Sequence, residues 1–404
     1  MLRRTLLVIL TFSIVIAFTQ RQANACPFCK DQRGPTLLEE LKRASMVLVG
    51  SFTNPQPNGS GLDNGTTDFV IEQVLKAHPI LKDGKGIRTI KVKGKTKKVL
   101  IIPRLINNNE TYILFCDVYK GDIDPYKGEV LQEGGRVDQY LADLSTLKDK
   151  SVSRRLQECF KYLNDPEYLV SLDAYREFAK ADYKDYQKIA EKLPAKTIAG
   201  WLKDKKTPAY RYGLYGSLIG HCGEQKHIKL LRKMIDDRKV RRSSGIDGLL
   251  AGYLMLQHKH KKTKEALGYL NSVMSNKEER FMFRYATLRT IRFFWTTRPD
   301  VFEKKSLAQS LAALLEHDDM ADFAIDDLRK WKQWQYSDEI LGLWKRSSHN
   351  IPVVKKAILR FAIRGEKYNK ACKSFITEQR QTNLKQVQQV EKLLEFEDAA
   401  FPTS

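Results

Sequence analysis

The residues best placed to do chemistry in this chain are two cysteines with two residues between them, in Cys26-Pro27-Phe28-Cys29. Three kinds of chemistry are open to them. A dithiol at this spacing can exchange disulfides, but that needs a helix N-terminus to lower the thiol pKa and a strand in front of it. No strand can precede Cys26 if the segment upstream is removed. Two sulfurs can begin a zinc site, yet structural zinc takes four ligands. The third use is a staple, in which Cys26 or Cys29 pairs with Cys116, or less favourably with Cys159, and ties the start of the chain to a core strand. Oxidising compartments favour such bonds, and the staple is the expectation. Lys30 stands where a haem-attachment motif has histidine.

Elsewhere the motifs of common catalytic sites are missing. No serine-centred elbow, phosphate loop or helical His-Glu-x-x-His occurs. No catalytic residue, cofactor or metal site is expected, and the chain reads as non-catalytic. His258-Lys259-His260-Lys261-Lys262 offers two imidazoles, but the cations beside them oppose a metal, and the stretch reads as an exposed turn. Glu316, His317, Asp318, Asp319 and Asp322 could collect a cation; Asp318 and Asp319 read more simply as helix caps. Trp201, Trp295, Trp331, Trp334 and Trp344 sit among leucines at helical spacing and read as core, with a glycan-stacking platform as the alternative.

What remains is charge. The chain carries 70 basic and 48 acidic residues, a balance of +22. Residues 26–150 hold only +3 of it and residues 151–404 hold +16. The densest window, 226–264, has twelve basic and three acidic side chains. Arg238, Lys239, Arg241 and Arg242 form one cluster, and Lys259, Lys261, Lys262 and Lys264 another. Both are candidates for a polyanion, with a solvated helix face as the alternative. The first cluster closes one helix pair and the second lies in a turn within the next, which would place them on opposite edges of a helical stack.

The elements that must position these residues fall into three parts. Residues 1–25 read as an export signal: Arg3 and Arg4, an apolar run from Leu6 to Phe18, a polar tail, then small residues at Ala23 and Ala25 before the cut. The run is short for a membrane span, which takes about 20 apolar residues, and no other run approaches that length. The remainder is expected to be exported, to a periplasm, a cell surface or the medium, with no membrane span. At 379 residues it should hold two or more domains.

Residues 26–147 read as a small β domain. A helix is expected over Thr36–Ala44, followed by strands at Met46–Phe52, Thr67–Lys76, Ile87–Val92, Val99–Ile102, Tyr112–Val118 and Gly128–Gln132, and a closing helix at Val137–Leu144. Short strands with turn residues between them suggest an antiparallel barrel. The cysteines at the mature N-terminus, the "VLVG-F", "DFVIEQVLK" and "YILF" strands and the closing helix resemble netrin-like domains. These share an OB-type barrel with the tissue inhibitors of metalloproteinases. In those inhibitors the N-terminal cysteine chelates the target's zinc, a role that only Cys26 could inherit, because the start here is Cys-Pro-Phe-Cys rather than Cys-x-Cys.

From residue 151 to 404 strand signals vanish. Helix pairs are expected at Thr207–Gly223 with Glu224–Asp237, Ile246–Gln257 with Thr263–Ser275, Glu278–Trp295 with Leu307–Leu315, and Met320–Trp331 with Ser337–Trp344. Their apolar centres, Leu214, Leu249, Leu288, Leu328 and Phe361, are 35, 39, 40 and 33 residues apart. Such spacing marks an α-solenoid, and the stretches "TPAYRYGLYGSLIGHCG" and "MADFAIDDLRKWKQW…IPVVKKAILRFAI" resemble HEAT-type repeats over roughly residues 160–375, with an irregular helical bundle as the rival. The expected protein is therefore an OB-like barrel followed by a HEAT-like array. It would be an exported scaffold binding a protein, an anionic glycan or an envelope surface, with no nucleic acid. The alternatives are a metalloprotease inhibitor acting through Cys26 and a thiol oxidoreductase acting through Cys26 and Cys29.

Overall fold

The computed structural model describes residues 28–29, 34–58, 65–82, 84, 86–92, 94–106, 110–147 and 150–400. Residues 1–25, expected to be an export signal, and Cys26 lie outside these residues. The chain divides into two compact units, the first ending at Ile189 and the second starting at Ala190.

In the first unit, helix α1 (Leu37–Arg43) begins at a reciprocal cap. The Glu39 amide donates to Thr36 Oγ1 (3.3 Å) and the Thr36 amide to Glu39 Oε2 (2.9 Å). At its other end the Lys76 ammonium donates to the carbonyls of Leu41, Lys42 and Ala44, acceptors that a helix C-terminus leaves open. Six antiparallel strands follow: β1 (Met46–Pro57), β2 (Gly65–Lys76), β3 (Ile87–Val92), β4 (Lys95–Ile102), β5 (Thr111–Tyr119) and β6 (Asp122–Leu131). They form one sheet in the order β3-β4-β2-β1-β5-β6. Alternation along the strands sends Met46, Leu48, Phe52, Phe69, Leu100 and Leu114 into a common core.

Three details differ from the sequence reading. Lys120 and Gly121 both have positive φ (50° and 83°) and make a two-residue hairpin turn. The strand expected to begin at Gly128 therefore begins at Asp122, as β6. Pro125 is tolerated there because β6 is an edge strand. The ladders also stop short of the expected closed barrel: among the described residues β3 and β6 are the two ends of the sheet, and no pairing joins them.

The third difference is the boundary, at 189/190 instead of 147–151. Four helices, α2 (Val137–Ser145), α3 (Val152–Phe160), α4 (Tyr168–Lys180) and α5 (Tyr183–Ala190), follow the sheet. A buried carboxylate joins the first turn of α1 to two of them. Asp173 of α4 accepts from the Leu37 amide (2.7 Å) and from the Tyr140 hydroxyl of α2 (2.9 Å). Burial pushes its carboxyl up to about 7. Arg155 of α3 pairs with Glu177 of α4 at 2.8 Å. These long-range polar bonds keep most of the early helices with the sheet.

The cysteine staple is also corrected. Cys116 lies in β5 and Cys159 in α3, and both are buried free thiols. Cys116 points into the sheet core beside Met46 and Leu48, where it acts as a small apolar side chain, and burial pushes its thiol up to about 12. Cys29 is buried and disulfide-bonded, but to neither of these two.

The second unit is helical. Among its described residues the helices are α6 (Ala195–Lys203), α7 (Tyr212–Cys222), α8 (Gln225–Asp236), α9 (Ile246–Lys259), α10 (Thr263–Ser275), α11 (Phe281–Thr296), α12 (Lys304–Ala312), α13 (Ala321–Lys330), α14 (Ser337–Gly342), α15 (Pro352–Gly365), α16 (Lys370–Thr382) and α17 (Leu384–Ala400). Helices α7, α9, α11, α13, α15 and α17 pack in series. Leu214, Leu249, Leu288, Leu328 and Phe361 lie in the first five of them, and all are fully buried.

The joints of this series are of two kinds. Helices α7 and α9 meet through glycines at matched spacing, Gly213, Gly216 and Gly220 against Gly245, Gly248 and Gly252. A Cβ on Gly248 would sit 2.1 Å from the Gly213 carbonyl oxygen, and one on Gly252 would sit 1.9 Å from that of Gly216. The backbones touch. From α9 onward, arginines bridge the helices: Arg289 to Asp247 (2.6 Å), Arg292 to Asp327 (2.6 Å), Arg360 to Asp326 (3.1 Å) and Arg364 to Asp398 (2.6 Å).

Candidate functional site: an arginine-lined groove

The basic window resolves into two separate places. Helix α9 has 14 residues and so spans about 21 Å. Arg238, Lys239, Arg241 and Arg242 precede its N-terminus, whereas Lys259, Lys261, Lys262 and Lys264 gather at its C-terminus. The eight cations do not converge.

Two of the eight are structural. The Lys259 ammonium donates to the carbonyls of His221 (2.9 Å) and Gly223 (3.2 Å), closing the C-terminal end of α7. Arg241 is held on every side. Its Nε donates to the Ile235 carbonyl (2.8 Å), Nη1 pairs with Glu279 (2.7 Å), Nη2 approaches Asp236 (3.4 Å), and the guanidinium lies 4.4 Å from the Phe283 ring. Such a group has little left to offer a ligand. Lys259 and Arg241, two of the candidate cations read from the sequence, thus spend donors on partners within the fold.

What Arg241 holds in place is a groove of about 790 Å³ at the N-terminal end of α11. Arg238, Arg241 and Arg242 form one wall and residues 278–283 the other. The first wall is rigid by local design. Asp237 Oδ1 accepts from the amides of Lys239 (2.7 Å) and Val240 (3.2 Å), a turn that acidic side chains favour, and the 3₁₀ turn Val240–Arg242 follows. On the other wall Asn276 Oδ1 accepts from the Glu278 amide (3.0 Å).

Among the described residues Arg238, Arg242 and Arg280 form no ion pair. With the Arg241–Glu279 pair neutral, they face Glu278 alone, a local balance of +2. Two apolar side chains are exposed beside them, Met282 (64%) and Phe281 (37%). Phe281 continues into an aromatic strip, stacking on Tyr285 (6.0 Å, 6° between planes) and touching Phe323 (6.4 Å). Sequence reasoning missed Arg280, Phe281 and Met282 because they lie about 40 positions along the chain from the cluster they join. The only signal in the sequence was two large apolar residues, Phe281 and Met282, directly after the charged run Lys277–Arg280.

The weaker candidates dissolve. Among the described residues no three potential metal ligands cluster. Asp319 pairs with Arg284 (2.7 Å), His317 contacts the same guanidinium, and Glu316 pairs with Arg346 (2.7 Å). The residue capping α13 is Met320, without a side-chain cap bond, so the capping role expected of Asp318 and Asp319 is not seen. No tryptophan is fully buried. Trp295 and Trp331 stack on each other at 3.9 Å, and Trp334 stacks on Tyr368 at 5.7 Å.

No family model and no curated protein matches this sequence. A solved structure, human deoxyhypusine hydroxylase in complex with glycerol, aligns with 63% of this chain and 94% of its own, at 14% identity and a TM-score of 0.26. At that score the likeness carries no argument. That neighbour bears an enzyme's name; the expectation of a chain without catalysis finds no support in the comparisons and is withdrawn.

Proposed function

We propose that this is an exported binding protein whose helical unit holds an acidic polypeptide segment in the arginine-lined groove. The observation that carries the reading is the set of three guanidiniums without ion-pair partners among the described residues, around exposed Met282 and Phe281. Guanidinium forks match carboxylates, and apolar side chains rimmed by charge suit a protein partner. An anionic glycan or an envelope surface would use the arginines and leave Met282 idle.

We also read the helical unit as HEAT-like and the sheet as an open relative of the OB-type, netrin-like barrel. Helices packing in series around evenly spaced buried centres support the first reading. The strand number and antiparallel ladders support the second. Export rests on the pattern of residues 1–25. The inhibitor and oxidoreductase readings gain no observation, and the burial of Cys29 disfavours exchange at its sulfur.

The test is retention on an immobilised Glu/Tyr copolymer at rising salt, with heparin in parallel. Arg238→Glu/Arg242→Glu and Met282→Asp should each lose retention on the copolymer, while Lys261→Glu/Lys262→Glu keeps it. Equal loss in all three variants would reduce the effect to net charge and refute the groove. Heparin retention that ignores Met282→Asp, with no copolymer binding, would favour the glycan.

A further inference from the structure

The sheet holds a second site, unrelated to the groove. A cavity of about 190 Å³ is lined by Phe52 of β1, Ile102 at the end of β4, Ile106 just beyond it, and Tyr112 and Leu114 of β5, with residues 125–128 of β6 opposite. Strands β4 and β6 are four places apart in the sheet order, which in a flat sheet would separate them by about 19 Å. That both line one cavity means the sheet curls round and leaves a mouth where its two sides approach.

The mouth stays open because of one residue. Gly128 lies opposite Leu114 in the β5–β6 ladder, and a Cβ there would meet Leu114 Cδ2 at 2.9 Å. Any larger side chain would enter the space. The interior is apolar: Phe52, Ile102 and Leu114 are buried, and Tyr112 packs edge-on against Phe52 at 5.0 Å. Apolar cavities of about 150 Å³ are known to take a benzene ring.

The rim carries two cations in different states. Lys127 lies between Glu40 (3.6 Å) and Glu129 (3.5 Å), which neutralise it. Arg104 is exposed, and among the described residues its guanidinium has no ion pair; only its backbone carbonyl is engaged, by Thr67. We propose that this cavity binds a small monocarboxylate with a ring-sized apolar body, the body on Phe52, Tyr112 and Leu114 and the carboxylate on Arg104.

Isothermal titration of the full chain with phenylacetate, and with uncharged 2-phenylethanol as the matched body, tests the site. Phenylacetate should bind saturably at one site. Arg104→Gln should weaken it about tenfold, the value of one charge-assisted bond, and leave 2-phenylethanol unchanged. Gly128→Leu should abolish both. If circular dichroism shows that variant unfolded, Ile106→Trp fills the same space from the other wall and takes its place. Absence of saturable binding, or binding that survives a folded cavity-filling variant, overturns the proposal. Equal weakening of both ligands by Arg104→Gln overturns the role of the charge.

Discussion

The backbone contact between α7 and α9 makes Gly252→Ala the sharpest test of the helical unit. Two effects of this substitution oppose each other. Alanine is the better helix former by about 1 kcal/mol. Its Cβ, however, falls 1.9 Å from the Gly216 carbonyl oxygen and 2.7 Å from the carbonyl carbon, where ordinary contact is 3.4–4 Å. Both are backbone atoms of a helix, so no rotamer change relieves the clash, and the helices must part by roughly 1.5 Å along a fully buried face. Overpacking of this kind costs about 1–3 kcal/mol, and more when the backbone must move. The net expectation is a loss of about 2 kcal/mol. Gly268→Ala in α10 is the control, because its Cβ meets nothing within 4 Å and only the helix-propensity gain of up to about 1 kcal/mol remains. All five tryptophans lie between Trp201 and Trp344, within the second unit, so urea unfolding followed by their fluorescence reads this unit alone. The reasoning fails if Gly252→Ala is as stable as the parent, or if both substitutions shift the midpoint the same way.

Three further outcomes are expected. Asp173 has its carboxyl raised by burial to about 7, so the folded state binds a proton that the unfolded chain, with a carboxyl near 3.9, releases. Its contribution to stability is complete below about pH 4 and is lost as pH rises through 7. Asp173→Asn should therefore flatten a slope of up to about 1.4 kcal/mol per pH unit between pH 5 and 6 in thermal unfolding; an unchanged slope would place the proton elsewhere. Thiol titration of the denatured, unreduced protein should find four free thiols, Cys116, Cys159, Cys222 and Cys372, with Cys116 and Cys159 silent in the native state; a fifth thiol would mean that Cys29 is not bonded. Arg241→Ala should cost about 2 kcal/mol by leaving half-buried Glu279 without its partner, whereas Arg242→Ala should be neutral in the same unfolding assay.

The strands and inner helices were legible because their burial leaves a period in the sequence. Ile87–Val92 alternates, and Leu214 to Phe361 recur at repeat spacing. Side-chain partnerships were not legible. Nothing local to Arg241 or Lys259 announces Glu279 or the carbonyl of His221, each 38 positions away, so two structural cations looked free. Asp173 similarly bonds the Leu37 amide 136 positions back, and it holds past residue 151 a unit that strand content alone would end near 147. The matched glycines at 213, 216, 220 and 245, 248, 252 stood in the sequence as a repeat of 32 residues. The sequence reading passed over them, and only the structure shows that they mark close helix packing.

The two kinds of joint along the inner helices give the array unequal mechanical properties. Where α7 lies on α9, the separation is set by hard contact between main chains, which salt does not alter. Between α15 and α17, beside the buried Val387, Val390 and Leu394, Arg360 and Arg364 reach Glu397 and Asp398 at 2.7 and 2.6 Å, partly exposed pairs that dissolved ions weaken. Ionic strength therefore reaches the polar contacts at one end of the array and leaves the main-chain contact at the other untouched. The other end serves as a stiff base, and slow amide exchange in α9 grading to faster exchange in α17 would be its visible trace.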